Sequence, residues 1–353
     1  MARKIVFVTK DKGGYEVSFP LAEELKRRGN EISIMAEGVS VAQWGAAGYT
    51  VDFVGSFDFQ REPYAVDVKA ELTRLGAELV ISTMGSPINL EAKCGQAANE
   101  LGIPLVIMED VWGTSRRMPC SADMAFTLDS YGENLMRELP RFQKTEIIIM
   151  GNAALNSFQV PSVMKAHMEL LRAKFGTVVM FAGEGDGTTE LLALTLLSLD
   201  ASGQPYAFIP RFHPKYLDIP QNRALWEGVV AEFFMKTTRG IVYTGFDAST
   251  DSRALAAMAD VTVSGSSTAL LYAAKHGRAA VSISTALTRR LLGEQVAYDK
   301  YPGIKLGIAV ELNMPCDLIA LARDAAPVIR RNAEHVFRSI PIDEVADSVL
   351  SLV

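Results

Sequence analysis

Two doubly wound α/β domains, each a parallel sheet with helices on both faces, are what this 353-residue chain predicts. Three observations carry the prediction. Short β-branched runs alternate with amphipathic stretches along both halves, several of those stretches stop at a glycine, and the chain is too long for one ordinary core. Two Rossmann-like units facing across a cleft follow from right-handed crossovers repeated in each half.

The elements read in order. Ile5–Val8 is a buried first strand, and Tyr15–Arg28 is a helix with Phe19, Leu21, Ala22 and Leu25 on its apolar side, stopped by Gly29. Strands follow at Ile32–Met35, Val51–Val54, Leu79–Ser82, Leu105–Met108, Met124–Leu128 and Ile147–Met150. Between them lie a helix around Glu71–Leu75 and another at Leu90–Leu101, stopped by Gly102. The second half repeats the pattern, with a helix at Ser162–Lys174, a strand at Val178–Phe181 and a helix at Thr188–Leu199. Further strands are expected at Ala207–Ile209, Ile241–Tyr243, Val261–Val263 and Ala280–Ile283. Two helices close the chain, Ile319–Val336 and Asp343–Leu352, hinged at Ile340-Pro341. The expected domains are 1–158 for the acceptor and 159–340 for the donor, with a linker near 156–162. The segment 341–353 is expected to form a terminal helix packed back on the first domain.

Composition narrows the function. With 49% apolar and 22% charged residues the chain reads as soluble and globular, and a net charge of −6 argues against a sequence-independent nucleic-acid surface. Cys94, Cys120 and Cys316 show neither disulfide nor zinc spacing, which fits a reducing cytoplasm. The N-terminal apolar run stops at Thr9, and nothing approaches the roughly 20 apolar residues of a membrane span. A homodimer is compatible with the apolar content.

In doubly wound sheets ligands meet the loops after the carboxyl ends of the strands, and the unusual clusters of this sequence fall there. Lys10-Asp-Lys-Gly-Gly-Tyr15 offers Gly13 and Gly14 for close backbone approach of an acceptor; a tight turn with solvated charges is the alternative. Ser82-Thr-Met-Gly-Ser-Pro87 brings Ser86, suited to sugar hydroxyls or simply a loop. Met108-Glu-Asp-Val-Trp-Gly-Thr-Ser-Arg-Arg117 supplies Glu109 and Trp112 toward an acceptor and Asp110 as a general base, with Asp110 as a turn cap the alternative.

In the second half, Phe181-Ala-Gly-Glu-Gly-Asp-Gly187 puts Gly183, Glu184, Gly185 and Asp186 before a helix. The glycines suit a passing ligand, and the carboxylates suit ribose or sugar hydroxyls or a base. No further ligand accompanies them, so no metal is expected. Arg211-Phe-His-Pro-Lys-Tyr216 gathers Arg211, His213 and Lys215 where a departing phosphate would be stabilised. Ser264-Gly-Ser-Ser-Thr268 places Gly265, Ser266, Ser267 and Thr268 ahead of an apolar helix, as an anion site or an ordinary hydroxyl cap. His276, beside Gly277, reads as a favourable helix-dipole contact, while His167 and His335 sit in helices without recognisable partners.

These residues resemble the GT-B glycosyltransferase superfamily, which includes non-hydrolysing UDP-N-acetylglucosamine 2-epimerases and bacterial capsule and sialyl transferases. Ile149-Met-Gly-Asn-Ala-Ala-Leu155 is similar to the segment that ends the first domain there, with Ala153 in place of proline. His213-Pro214 and Ser266-Ser267-Thr268 are similar to the His-Pro and Ser-Ser/Thr motifs that contact the donor phosphate, and Asp186-Gly187 is similar to the acidic-Gly motif that carries the base. The resemblance implies a metal-independent glycosyltransferase acting in glycoconjugate or cell-surface polysaccharide synthesis. It would take a UDP- or CMP-linked sugar as co-substrate, with no further cofactor, and a carbohydrate acceptor. Asp110, Asp186 or Glu184 would be the base. The epimerases carry a Gly-Gly and acidic pair where this chain has Ser-Ser-Thr-Ala-Leu, which sets transfer ahead of epimerisation. A polyol-phosphate transferase and a non-catalytic nucleotide-sugar binder are the remaining readings.

Overall fold

Alternate side chains of the first strand set the layers of the first unit. In β1 (Lys4–Thr9), Ile5 and Phe7 join one apolar cluster with Leu21, Leu25 and Trp44, while Val6 and Val8 join another with Leu72, Leu90 and Ala97. A strand buried on both faces belongs in a parallel sheet between helical layers. The structure, a computed structural model, describes residues 2–55, 67–85, 90–185, 187–213, 219–246, 250–296 and 299–353. Ser86, Asp186 and Lys215 lie outside the described residues.

The first sheet continues with β2 (Glu31–Glu37), β3 (Val51–Gly55), β4 (Leu79–Ser82), β5 (Leu105–Met108), β6 (Met124–Thr127) and β7 (Glu146–Ile149). Its seven strands run in the order β3-β2-β1-β4-β5-β6-β7, all parallel. The second sheet has β8 (Thr177–Ala182), β9 (Tyr206–Arg211), β10 (Gly240–Val242), β11 (Val261–Ser264), β12 (Ala279–Ile283) and β13 (Val310–Leu312). Its six parallel strands run β10-β9-β8-β11-β12-β13. In each sheet the order reverses once, between β1 and β4 and between β8 and β11. Those switch points are where open α/β sheets leave a crevice at the carboxyl edge.

The chain divides into one unit of Met1–Ser157 with Phe337–Val353 and another of Phe158–Val336. The terminal helix Ile342–Leu350 buries Val345, Ala346 and Val349 in the cluster that holds Leu21 and Leu25. Arg28 fixes its angle, pairing with Asp347 at 2.5 Å and donating to the Asp343 carbonyl at 2.9 Å. No helix among the described residues is long and apolar enough to cross a membrane.

Some elements differ from the sequence expectation. The first helix is Lys12–Arg27, so Gly13 and Gly14 lie in its opening turn and not in a loop. Val39–Ala46 and Ser130–Arg137 are helices that the hydrophobic period does not announce. Each has only eight residues, and the second carries a polar run whose start is held by Asp129 accepting from the Tyr131 and Gly132 amides. The long helix Leu318–Val336 continues through Pro327.

Candidate functional site

At the first switch point the glycines of the opening helical turn admit the protein's own side chains. A methyl group at Gly13 would collide with the Asp110 carboxylate, and one at Gly14 with the Thr83 hydroxyl. The close approach expected for an acceptor is therefore made by the ends of β4 and β5. Asp110 itself is partly exposed, and its Oδ1 accepts from the Val111 amide at 2.9 Å. Burial pushes its pKa up to about 6, with the neighbouring Asp11 raising it further and Arg117 pulling it back. Asp11 is exposed at the start of the same helix. Two carboxylates thus sense each other at one crevice. The sequence does not single out Asp11; its place two residues before Gly13, in a loop read either as an acceptor approach or as a turn with solvated charges, is the available signal.

Behind them lies a fully buried brace. Glu91, in the helix Leu90–Leu101, accepts from the Lys10 amide at 3.2 Å, from the Thr83 hydroxyl and from the Gly85 amide. It ties the segments that follow β1 and β4 together. Glu37, at the end of β2, is 2% exposed, pairs with Lys10 Nζ at 3.6 Å and receives the Leu90 amide at 3.2 Å.

Two expected acceptor contacts are corrected. Glu109 is 0% exposed, and its carboxylate accepts from the Ser115 amide at 3.0 Å and the Thr127 hydroxyl at 2.9 Å. Trp112 is 2% exposed and donates Nε1 to Asp129 at 3.0 Å. Both organise the turn after β5 from inside: alternation at the strand end turns Glu109 into the layer while its neighbour Asp110 points out, and Trp112 is drawn in by its bond to Asp129.

At the second switch point the Ser/Thr turn already holds an anion, and that anion is Glu184. Its carboxylate accepts from the Ser266 amide and from the Ser266 hydroxyl at 3.1 Å, and the Ser264 hydroxyl, 2.7 Å away, divides its single proton between Glu184 and the Ala182 carbonyl at 2.6 Å. Gly265 is needed there, since an added Cβ would lie 3.0 Å from Glu184 Oε2. Within the expected Ser266–Thr268 anion site, the Ser266 amide and hydroxyl are engaged by a carboxylate of the same unit. The helix behind the turn, Ala269–Lys275, has only seven residues, so little dipole is added. Ser267 caps it, accepting from the Ala269 amide at 3.2 Å, and Thr268 is exposed. Gly183 donates to the Arg211 carbonyl at 2.7 Å and is approached by Phe212 and Thr188, and Gly185 bridges to Gly187. No passing ligand is required to explain these glycines.

β9 and β11 flank β8, so the loops that carry Arg211 and Ser266 leave the same edge of the sheet two strand spacings apart, about 10 Å. Arg211 donates Nη2 to the Thr250 carbonyl at 2.7 Å, and His213 is exposed two residues beyond β9. His167 has partners that the sequence does not reveal: it bonds the Tyr243 hydroxyl and packs at a tilt against Phe246. His276 contacts the Tyr272 carbonyl through Nδ1 at 2.9 Å, and burial lowers its pKa. A neutral ring donating that bond replaces the expected charge–dipole contact.

The buried carboxyls carry a pH signature. Burial pushes Glu91 and Glu109 up to about 7; hydrogen bonds from Thr83 and Gly85, and from Ser115 and Thr127, pull them partly back. Their unfolded values lie near about 4.3. Because folding raises these pKa values, the stability they contribute is full below about pH 4 and is lost as pH rises through about 7. Glu24, held at about 2 by Arg27 and Arg28, titrates below this window. Urea unfolding is expected to show greater stability at about pH 5.5 than at about pH 8, and Glu109→Gln is expected to shrink that difference by on the order of 1–3 kcal/mol. An unchanged difference in the variant would remove Glu109 from this account.

No protein-family model and no curated protein matches the sequence. Solved structures match over nearly its whole length. MnaA of S. aureus in complex with UDP superposes with a TM-score of 0.68 at 10% identity, covering 99% of this chain and 98% of that one. UDP-GlcNAc 2-epimerase of Methanocaldococcus jannaschii, in complex with UDP-GlcNAc and UDP, gives 0.65 at 11% identity with 99% of each chain covered. MurG of Acinetobacter baumannii gives 0.60 at 14% identity, again with 99% of each covered. The chain has the GT-B fold that these structures share.

Proposed function

We propose that this GT-B chain is an enzyme acting on a UDP-linked N-acetylhexosamine, and that its reaction is epimerisation of the sugar. The observation that carries the reading is the pair Asp11 and Asp110 at the first switch point, with Asp110 titrating at about 6. Inverting C2 takes its proton from one face as the C1–O bond to UDP breaks, which leaves a C1=C2 double bond; a proton returned to the other face of C2, with the UDP oxygen re-forming its bond to C1, completes the reaction. Acid and base groups whose pKa lies near the working pH do both at useful rates. Glu184 supports the same reading, because it brings a carboxylate to the turn in which the resembling epimerases carry theirs. Structural likeness to UDP-GlcNAc 2-epimerases adds support at the level of fold.

Transfer of the sugar to an acceptor hydroxyl is the second reading, favoured by a single outward carboxylate at β5 and by the likeness to MurG. The two separate in one experiment. Incubated with UDP-GlcNAc in deuterated water without acceptor, the protein is expected to form the 2-epimer with deuterium at the inverted carbon, followed by proton NMR. Donor consumption that begins only when an acceptor is added would replace epimerisation by transfer. No turnover in either arm would overturn both.

A further inference from the structure

A cavity of about 370 Å³ opens at the opposite edge of the second sheet. Thr177, Val261 and Ala279, the first residues of β8, β11 and β12, line it, so it lies a strand's length from the carboxyl edge. Its other wall is the helix Leu318–Val336, where Ala322, Ala326 and Pro327 present side chains too short to fill the space. The volume falls in the range of small-molecule sites.

The charges around this opening do not balance. Arg278 and Arg330 line it together with Asp260, and Arg172 stands beside Asp260. Asp260 Oδ1 accepts from Arg172 Nε at 2.7 Å and Oδ2 from the Val178 amide at 2.9 Å, so Arg278 reaches Oδ1 only at 3.4 Å. Arg330 reaches the Gly277 carbonyl at 3.5 Å, the limit of a hydrogen bond. Arg323, also at the opening, contacts Asp324 at 3.4 Å and brings its own counter-charge. Arg172 and Arg278 therefore share the one carboxylate of Asp260 and Arg330 stands apart from it, leaving an excess of two positive charges. Burial, Arg172 and Arg330 together lower the Arg278 pKa, the response of a cation held among like charges. An anion in the cavity relieves that repulsion.

We infer that this cavity binds a small molecule bearing a phosphate group. A phosphate dianion matches the excess of two charges, whereas a carboxylate leaves one uncompensated. Planar, forked guanidinium donors suit phosphate oxygens. The alanine and proline wall receives an apolar body attached to the phosphate.

The test uses phenyl phosphate and inorganic phosphate as probes and benzoate as the carboxylate control, by calorimetry and thermal melting at constant ionic strength. Phenyl phosphate is expected to bind more tightly than either of the others and to raise the melting temperature. Arg330→Gln is expected to weaken that binding about tenfold or more. Its ligand-free melting temperature is expected to be no lower than wild type, because a like charge has gone; Arg278→Gln provides an independent second variant. Phosphate bound at the carboxyl edge would persist in both variants. An equal response in wild type and both variants, equal binding of benzoate and phenyl phosphate, or no binding at millimolar concentrations would each overturn the inference.

Discussion

Asp110→Asn is expected to lower kcat for the nucleotide-sugar reaction by roughly 10²–10⁴-fold, the usual contribution of a positioned general acid or base. Asparagine has the same size and still accepts the Val111 amide through its carbonyl oxygen, the bond that Asp110 Oδ1 makes at 2.9 Å. It also fits beside Gly13, where no larger neighbour is tolerated. What it lacks is a carboxyl group that can take up and release a proton near neutral pH. The pH profile carries the argument further. Asp110 is pushed up to about 6, so a wild-type kcat/KM that needs the carboxylate rises with pH through about 6. The variant should be flat across that interval. Loss of fold is a separate outcome and is readily recognised. Burial disfavours the charged side chain, so the neutral substitute should leave stability at about pH 7.5 equal or higher. UDP affinity is expected to change by no more than about twofold, since the missing interaction belongs to the transition state. Wild-type turnover in the variant would shift the role to Asp11, with Asp11→Asn as the next measurement.

What the sequence reveals about this fold follows from burial. Strands packed on both faces are apolar over nearly their whole length, and Leu79–Ser82 and Leu105–Met108 are legible for that reason. The helix Leu90–Leu101 is bounded by Gly102 in a left-handed conformation that favours glycine, so its end is legible as well. Val39–Ala46 escapes because eight residues, one of them Gly45, hold too few turns to express a period. At the candidate site the residue types are legible and their partners are not. Gly13 and Gly14 do announce a close approach, but nothing local says that Asp110 and Thr83 make it. Trp112 and Glu109 are legible as unusual residues at a strand end, yet the chemistry they suggest depends on which way they point. Asp129 and Thr127, which claim them, come from the cap of the helix Ser130–Arg137 and from the end of the next strand. The Ser264–Thr268 turn is legible as a set of donors. Its acceptor, Glu184, is 82 residues away from Ser266 and is brought there only by the pairing of β8 with β11.

Glu184→Gln tests what that last contact does. The carboxylate has four lone-pair positions; the Ser266 amide and hydroxyl point at it, and the Ser264 hydroxyl is divided between it and the Ala182 carbonyl. A phosphate cannot take the same donors while Glu184 remains charged beside it. A hydroxyl of a ribose or sugar can still donate to the position left over. Nucleotide recognition here is therefore expected to pass through a neutral hydroxyl, with the diphosphate held elsewhere. In the glutamine variant one oxygen becomes an amide that donates. Serine hydroxyls can turn to accept from it; the Ser266 amide cannot, so the remaining oxygen must stay on that amide. The fold should survive with a loss of about 1–3 kcal/mol, the cost of weakening charge-assisted hydrogen bonds. UDP affinity should fall about 10- to 100-fold, as expected when a hydroxyl loses a charged acceptor. Inorganic pyrophosphate, which has no ribose, should bind the variant at least as well as it binds wild type. Calorimetry with the two ligands reads both effects. Tighter UDP binding in the variant would mean that Glu184 competes with the nucleotide's phosphates for the turn, and the hydroxyl role would have to be abandoned.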